Sequence, residues 1–300
     1  MTAAVRFRPD GPLDLPATLG VLRHGPGDPT FRIEPTGAVW RTCRTAGGPA
    51  TLRLSAAGGE VEIAGWGPGA DLALDGVPDL LGARDDPGAF VAHHAPVRAG
   101  LRRLVGWRVI RTGLVFEALV PAVLEQKVTA REAHRAWRRI ITRFGDPAPG
   151  PAPAGMRVVP SPAAWLRLPS WEWHRAGVDS RRAATIRAVA ARAGRLEGTA
   201  GMPPAEAARM LQVVPGVGRW TAAEVGQRAY GDADAVSVGD LHLPGLVGWT
   251  LIGRPVDDDG MLELLEPYRP QRYRAVRLLE AVGRKPAFGP RAAPRDFRMI

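Results

Sequence analysis

Four residues, Pro215-Gly216-Val217-Gly218, limit the fold of this chain more than any other short stretch. They stand between two segments of helical spacing, 204–213 and 219–230, so the chain must reverse within one tight turn. Two glycines in that turn permit positive φ and let another molecule approach the backbone closely. The second helix then opens with unpaired N–H groups and the positive end of its dipole, a setting suited to a phosphate. A contact of that kind holds a nucleic-acid backbone without reading its sequence. Taken alone, the same four residues also read as a plain helical corner with glycines for packing. About twenty residues past the turn comes a lone acid, Asp240, in AVSVGDLHLP.

The rest of the chain reads as α+β. VRF, FRIE, AVWRTCR, ATLRLSA and EVEIAGW are β-rich or alternating, with Gly/Pro breaks between them. DLPATLGVLR predicts a short helix capped by Asp14. After GWGPGAD the strand signals nearly stop. This divides the chain into a small β-rich domain over 1–76 and a helical core over 77–300. DDPGAFVAHH predicts a short helix. LVFEALVPAVLEQ places apolar residues at 115, 116, 119, 120, 123 and 124, the spacing of a buried helix face, with Pro121 a candidate kink. Thr129 and Glu132 have the form of a capping box, so a helix is predicted from there to Phe144, ended by Gly145. DPAPGPAPAG predicts a loop or flexible linker. Asp179 or Ser180 caps a further helix with Ala183, Ile186, Val189, Ala190 and Ala193 facing inward. The last helix falls near RYRAVRLLEAV, and the tail past Gly283 is expected to be loosely ordered. No internal repeat is evident.

Charge and cysteine content narrow the function. The formal net charge is +10, which points to a polyanionic partner. Only Lys127 and Lys285 are lysines, so the excess is arginine, and part of it is what a GC-rich coding bias would give. Cys43 is the single cysteine, which excludes an intramolecular disulfide, a cysteine-ligated iron–sulfur cluster and a multi-cysteine zinc site. There is no signal-peptide run and no apolar stretch of membrane-spanning length, so a soluble, cytoplasmic protein is expected. His93-His94 lacks the rest of a metal set and reads as surface. Asp257–Asp259 reads as a solvated acidic loop.

The hairpin and the aspartate together resemble the helix–hairpin–helix of the base-excision DNA glycosylases. The resemblance rests on Pro215-Gly216-Val217-Gly218, then Arg219 and Trp220, then Asp240 just before the next helix. It extends to FEALVPAVLEQKVTAREA, to PSPAAWLRL with GVDSRRAATIRAVA, and to YRPQRYRA, strongest from Phe116 to Ala275. With the β-rich first quarter, the chain is most similar to the bacterial inducible 3-methyladenine DNA glycosylase branch. That implies an α+β fold: a small β-rich N-terminal domain, then an all-helical helix–hairpin–helix core with a cleft between two helical halves. It implies a monomer acting on duplex DNA with a damaged base, with no membrane partner and no required cofactor. It permits a monovalent cation on the backbone carbonyls of Val214 and Val217.

The resemblance also assigns residues. Asp240 becomes the catalytic carboxylate, although it also reads as an N-cap for the following helix, and the two roles are compatible. An alkylated purine carries positive charge, so its glycosidic bond needs stabilisation at the sugar and a water nucleophile, not a general acid. Lyase chemistry needs an amine. The bifunctional members have lysine where this chain has Trp220, which predicts a monofunctional hydrolase. Trp220, Glu224, Leu241 and His242 are expected around the base. Trp220 offers a face for a flipped cationic base or packs as a core residue. Glu224 touches the base edge or, preferably, is solvated; His242 is more readily structural. Contacts to DNA are expected from Pro215, Gly216, Val217, Gly218, Arg219 and Thr221, and from the wedge position Gln126–Lys127. Arg272 supports the DNA site or pairs with acidic loops. A non-catalytic DNA-binding module and a same-fold glycosylase for oxidised or deaminated bases remain open.

Overall fold

The computed structural model describes residues 2–283; the tail expected to be loose, with Lys285, lies outside the described residues. The architecture is α+β. Strands β1 (Thr2–Phe7), β2 (Phe31–Ile33), β3 (Val39–Thr45), β4 (Gly48–Ala57) and β5 (Glu60–Trp66) form one antiparallel sheet in the order β1-β5-β4-β3-β2. The alternation in β4 and β5 sends Leu52, Leu54, Val61 and Ile63 to one face. Helices Leu15–Leu19, Ala70–Asp75 and Val77–Leu80 cover that face, and its core takes in Leu81 and Ile110 as well. Gly65 stands opposite Leu52, and its missing side chain leaves the space that Leu74 fills. Asp14 caps the first helix as its sequence requires, accepting from Ala17 N–H at 2.9 Å. Cys43 lies inside this core, where burial pushes its thiol up to about 12.

Two helical cores follow. The first surrounds Val115–Leu124, a helix with nine of its ten residues buried. Being apolar all round, it must sit at the centre of a bundle. Ala130–Phe144, Ser180–Ala190, Pro204–Gln212 and Arg219–Val225 pack into the same core. Its one polar residue, Glu117, turns toward the sheet and accepts from Arg41 (2.8 Å) and from Arg44 N–H (3.0 Å). The second core joins Ala95–Arg103, Leu243–Ile252, Asp258–Leu265 and Arg272–Val282. The chain passes from the first core to the second through residues 231–242, the segment that carries Asp240.

The capping box of Thr129 and Glu132 and the cap by Asp179 are both formed. Three segments depart from or sharpen the local pattern. DDPGAFVAHH makes only one 3-10 turn, Pro87–Ala89, and then runs extended, because His94 is drawn to the Tyr268 hydroxyl. DPAPGPAPAG is a loop, the first of its two readings, and a fixed one. Its ends pair as Asp146–Pro147 with Arg157–Val158, Gly150 lies against the Trp66 ring, and Thr42 donates to the Arg157 carbonyl at 2.6 Å. Prolines cannot donate, so the sheet's side chains and the neighbouring backbone satisfy this segment instead. The second hairpin helix also changes pitch, ending in a π-helical turn, Gly226–Tyr230. No helix among the described residues is long and apolar enough to cross a membrane.

Candidate active site

The hairpin is held from both sides. Pro204–Gln212 ends, Val217 N–H closes the turn on the Val214 carbonyl at 3.0 Å, and Gly216 adopts φ +88°. Behind it the buried Thr185 leaves no room for a side chain on Gly216. Gln126, just past the central helix, donates to both the Gly216 carbonyl (2.9 Å) and the Thr221 hydroxyl (2.8 Å). No side chain caps Arg219–Val225. Among the described residues the N–H groups of Gly216 and Gly218 have no hydrogen-bond partner. Pro215, Gly216, Gly218 and Arg219 are exposed, and a Cβ at Gly218 would stand in open space. The turn therefore presents a bare backbone edge to solvent, as an approaching phosphate requires.

Several expected contacts are otherwise engaged. Val217 is buried, with its N–H already in the turn. The Thr221 side chain is buried against Gln126. Gln126 braces the hairpin, and Lys127 beside it is exposed at φ +53° on the corner before the next helix. Left-handed backbone is uncommon for lysine. Of the two readings of Arg272, the structure shows the pairing with an acidic loop. Its guanidinium grips Asp234 at 2.9 and 2.7 Å, and it lines no part of the cavity described below.

Asp240 is fixed by three donors. One oxygen accepts the N–H groups of His242 (2.7 Å) and Leu243 (2.9 Å), opening helix Leu243–Ile252. The other accepts the Trp220 indole N–H at 3.1 Å, across from the hairpin. Gly239, at φ +91°, makes the bend just before it, and Asp258 accepts the Gly239 N–H at 3.1 Å. In the acidic run 257–259, Asp257 and Asp259 are exposed as expected, while Asp257 also caps a helix and Asp258 pins the Asp240 loop. No group of metal-ligating side chains occurs among the described residues. Asp240 is half-buried and no arginine pairs with it among them.

A cavity of about 150 Å³ opens beside Asp240. Glu224 and His242 line it, and Glu224 is not solvated. The Ser237 hydroxyl donates to one of its oxygens (2.5 Å) and Arg228 to the other (2.7 Å). Trp220 and Leu241 do not line the cavity. The Trp220 indole edge is turned onto Asp240. Leu241 is expelled because Asp240 clamps the two N–H groups after it, leaving Leu241 85% exposed. The wall also takes in Tyr273, Val276, Arg277 and Glu280 on the last helix, and Val21 from the N-terminal part of the chain. The last four helix residues share one face at i, i+3, i+4 and i+7, a signal open to sequence reading. Arg228 was also legible, four residues after Glu224 on the same helical face. Val21, brought in by its carbonyl bond to Arg228 at 3.2 Å, left no signal.

No family model matches the chain. The "Probable bifunctional transcriptional activator/DNA repair enzyme AlkA" of Mycobacterium tuberculosis is 30% identical over 222 residues, 69% of this chain and 43% of that protein. This chain thus spans less than half the length of that relative. Among solved structures, 3-methyladenine DNA-glycosylase from Archaeoglobus fulgidus superposes with a TM-score of 0.74 at 18% identity, covering 92% of this chain and 97% of the other. The Clostridium acetobutylicum 8-oxoguanine glycosylase/lyase, in complex with double-stranded DNA, gives 0.72 at 14% identity, covering 94% and 96%. At such identities the structural likeness is one of fold. Taken with the hairpin, the aspartate after it and the sequence relationship, it leads to one conclusion: the chain belongs to the helix–hairpin–helix DNA glycosylase superfamily, AlkA type.

Proposed function

We propose that this chain is a monofunctional DNA glycosylase that removes alkylated, cationic purines from duplex DNA. The observation that carries the reading is Asp240, oriented by three N–H donors at the mouth of a base-sized cavity, next to an uncapped hairpin. The hairpin's Gly216 and Gly218 amides and Arg219 hold the strand, and Lys127 fills the gap left by the extruded nucleotide. Asp240 faces the sugar and stabilises positive charge developing at C1′. The C1′–N bond breaks, its electron pair neutralises the cationic base, and water adds to C1′ with loss of a proton. Lys127 is the one lysine among the described residues and belongs to the wedge corner, so no amine is assigned to a Schiff base. The Val214 and Val217 carbonyls would hold any monovalent cation. The Val214 oxygen accepts one hydrogen bond and keeps a second lone pair, and a cation there would add positive charge beside the phosphate.

The test is duplex DNA treated with dimethyl sulfate, followed by chromatography of released bases. Free methylated purine with the strand intact until alkali treatment is the expected result. Tight, salt-sensitive binding without base release would leave only a DNA-binding module. The Trp220 bond gives a second prediction. Trp220→Phe keeps a ring but removes the donor to Asp240. Base release should fall about tenfold, the worth of one hydrogen bond to a charged group, with DNA affinity little changed. Single-turnover rates with saturating enzyme measure this directly.

A further inference from the structure

The cavity beside Asp240 has a polar wall formed by Glu224, Gln227, Arg228 and Ser237. Glu224 is held there by Ser237 and Arg228, and Gln227 braces Ser237 by donating to its hydroxyl oxygen (2.9 Å) and to the Ala235 carbonyl (3.0 Å). An ionised carboxylate offers about four lone-pair sites. The two donors use one on each oxygen, so each oxygen keeps an acceptor. Glu224 therefore stands as a rigid pair of adjacent acceptors in the cavity wall, with its charge countered by Arg228. Burial works against the Arg228 charge, but Glu224, with Tyr273 and Glu125 nearby, raises its pKa. Across the cavity Arg277 reaches Glu280 at 2.5 Å through one nitrogen, while its Nε is buried without a hydrogen-bond partner among the described residues. Three carboxylates, Asp240, Glu224 and Glu280, face two guanidiniums, Arg228 and Arg277. That surplus of negative charge suits any cationic base and does not choose among them.

Hydrogen-bond pattern does choose. Resting on the glycosylase reading above, we propose that Glu224 selects the base: its two acceptors take the paired N1–H and N2–H donors of a guanine-type edge, so the cavity prefers 7-methylguanine to 3-methyladenine. The guanine edge sets two donors side by side, matching the two oxygens of one carboxylate, and its O6 acceptor suits the arginine donors of the same wall. The adenine edge offers one amino donor and then the N1 lone pair. Facing Glu224, that lone pair meets a carboxylate oxygen and repels it. A buried site built for a donor rejects the analogue that lacks it, because its own groups are left unpaired.

One substrate tests this. Dimethyl sulfate places both lesions in the same duplex, and released 7-methylguanine and 3-methyladenine are quantified together by mass spectrometry. Each rate is expressed relative to that lesion's own spontaneous loss. The full chain should favour 7-methylguanine by about tenfold, and Glu224→Gln, which replaces one acceptor by a donor, should lower that ratio by about tenfold. A wild-type ratio at or below one overturns the proposal, as does an unchanged ratio in a folded Glu224→Gln protein. Should that variant fail to fold, the wild-type ratio decides alone. Release of neither base overturns the glycosylase reading beneath it, whereas release of both without preference removes only the role of Glu224.

Discussion

Asp240→Asn will stop base release while leaving DNA binding intact. Asparagine keeps the oxygen that accepts from His242 and Leu243, so the start of helix Leu243–Ile252 stays capped. Asn and Asp are nearly equal in that position, and the melting temperature should move by no more than about 2 °C. What disappears is the negative charge proposed to face the sugar, together with the Trp220 bond, because the amide nitrogen that replaces the second oxygen donates and cannot accept from the indole N–H. Losing one oriented electrostatic group of this kind costs about 10³ in rate, roughly 4 kcal/mol of transition-state stabilisation. The hairpin lies on a separate turn and its amides are untouched, so affinity for lesion DNA should change by less than about threefold, well under 1 kcal/mol. Single-turnover base release, fluorescence anisotropy and thermal melting separate the three quantities. Retained activity would transfer the chemistry to another group and remove Asp240 from the mechanism. A loss of activity accompanied by unfolding would mean that the cap, not the charge, was the essential role.

The separation of these two roles explains why Asp240 was ambiguous in the sequence. An acid before a helix is an ordinary cap, and the geometry makes it one. Its second oxygen, turned to Trp220 from twenty residues earlier, gives it a direction that local pattern does not encode. The fold itself was more open to reading. β-rich alternation, the capping box at Thr129 and the inward face of Ala183, Ile186 and Val189 follow local rules of period and capping, and each was realised. The departures share one cause, a tertiary partner. DDPGAFVAHH lost its helix to Tyr268, and the Pro-rich segment lost its freedom to Trp66 and Thr42. Glu224 read as a solvated helix residue because nothing nearby marks the arrival of Ser237 from the crossing segment. The bracing role of Gln126 left no local signal because its partners, Gly216 and Thr221, lie some ninety residues away.

The two hairpin glycines should separate folding from binding. Gly216 at φ +88° is in the left-handed region, which costs an L-residue about 1–2 kcal/mol. Its Cβ would also overlap the hydroxyl of Thr185, a buried side chain on helix Ser180–Ala190 that has little room to yield. Gly216→Ala should therefore destabilise the protein by about 2–4 kcal/mol, visible as a melting temperature lower by about 5 °C or more. It should also weaken DNA binding, since the displaced turn loses its bond to Gln126. Gly218 differs on both counts. Its φ of −99° is ordinary and a Cβ there meets nothing within 4 Å. Gly218→Ala should melt with the wild type. Yet its methyl would occupy the open edge where the proposed phosphate approaches the two unpaired amides, and affinity should drop by about tenfold, roughly 1.4 kcal/mol. Melting curves and salt-controlled anisotropy on both variants provide the comparison. A Gly218→Ala protein that binds duplex DNA as tightly as the wild type would show that the strand does not lie on this turn, and Asp240 would then have no backbone clamp beside it.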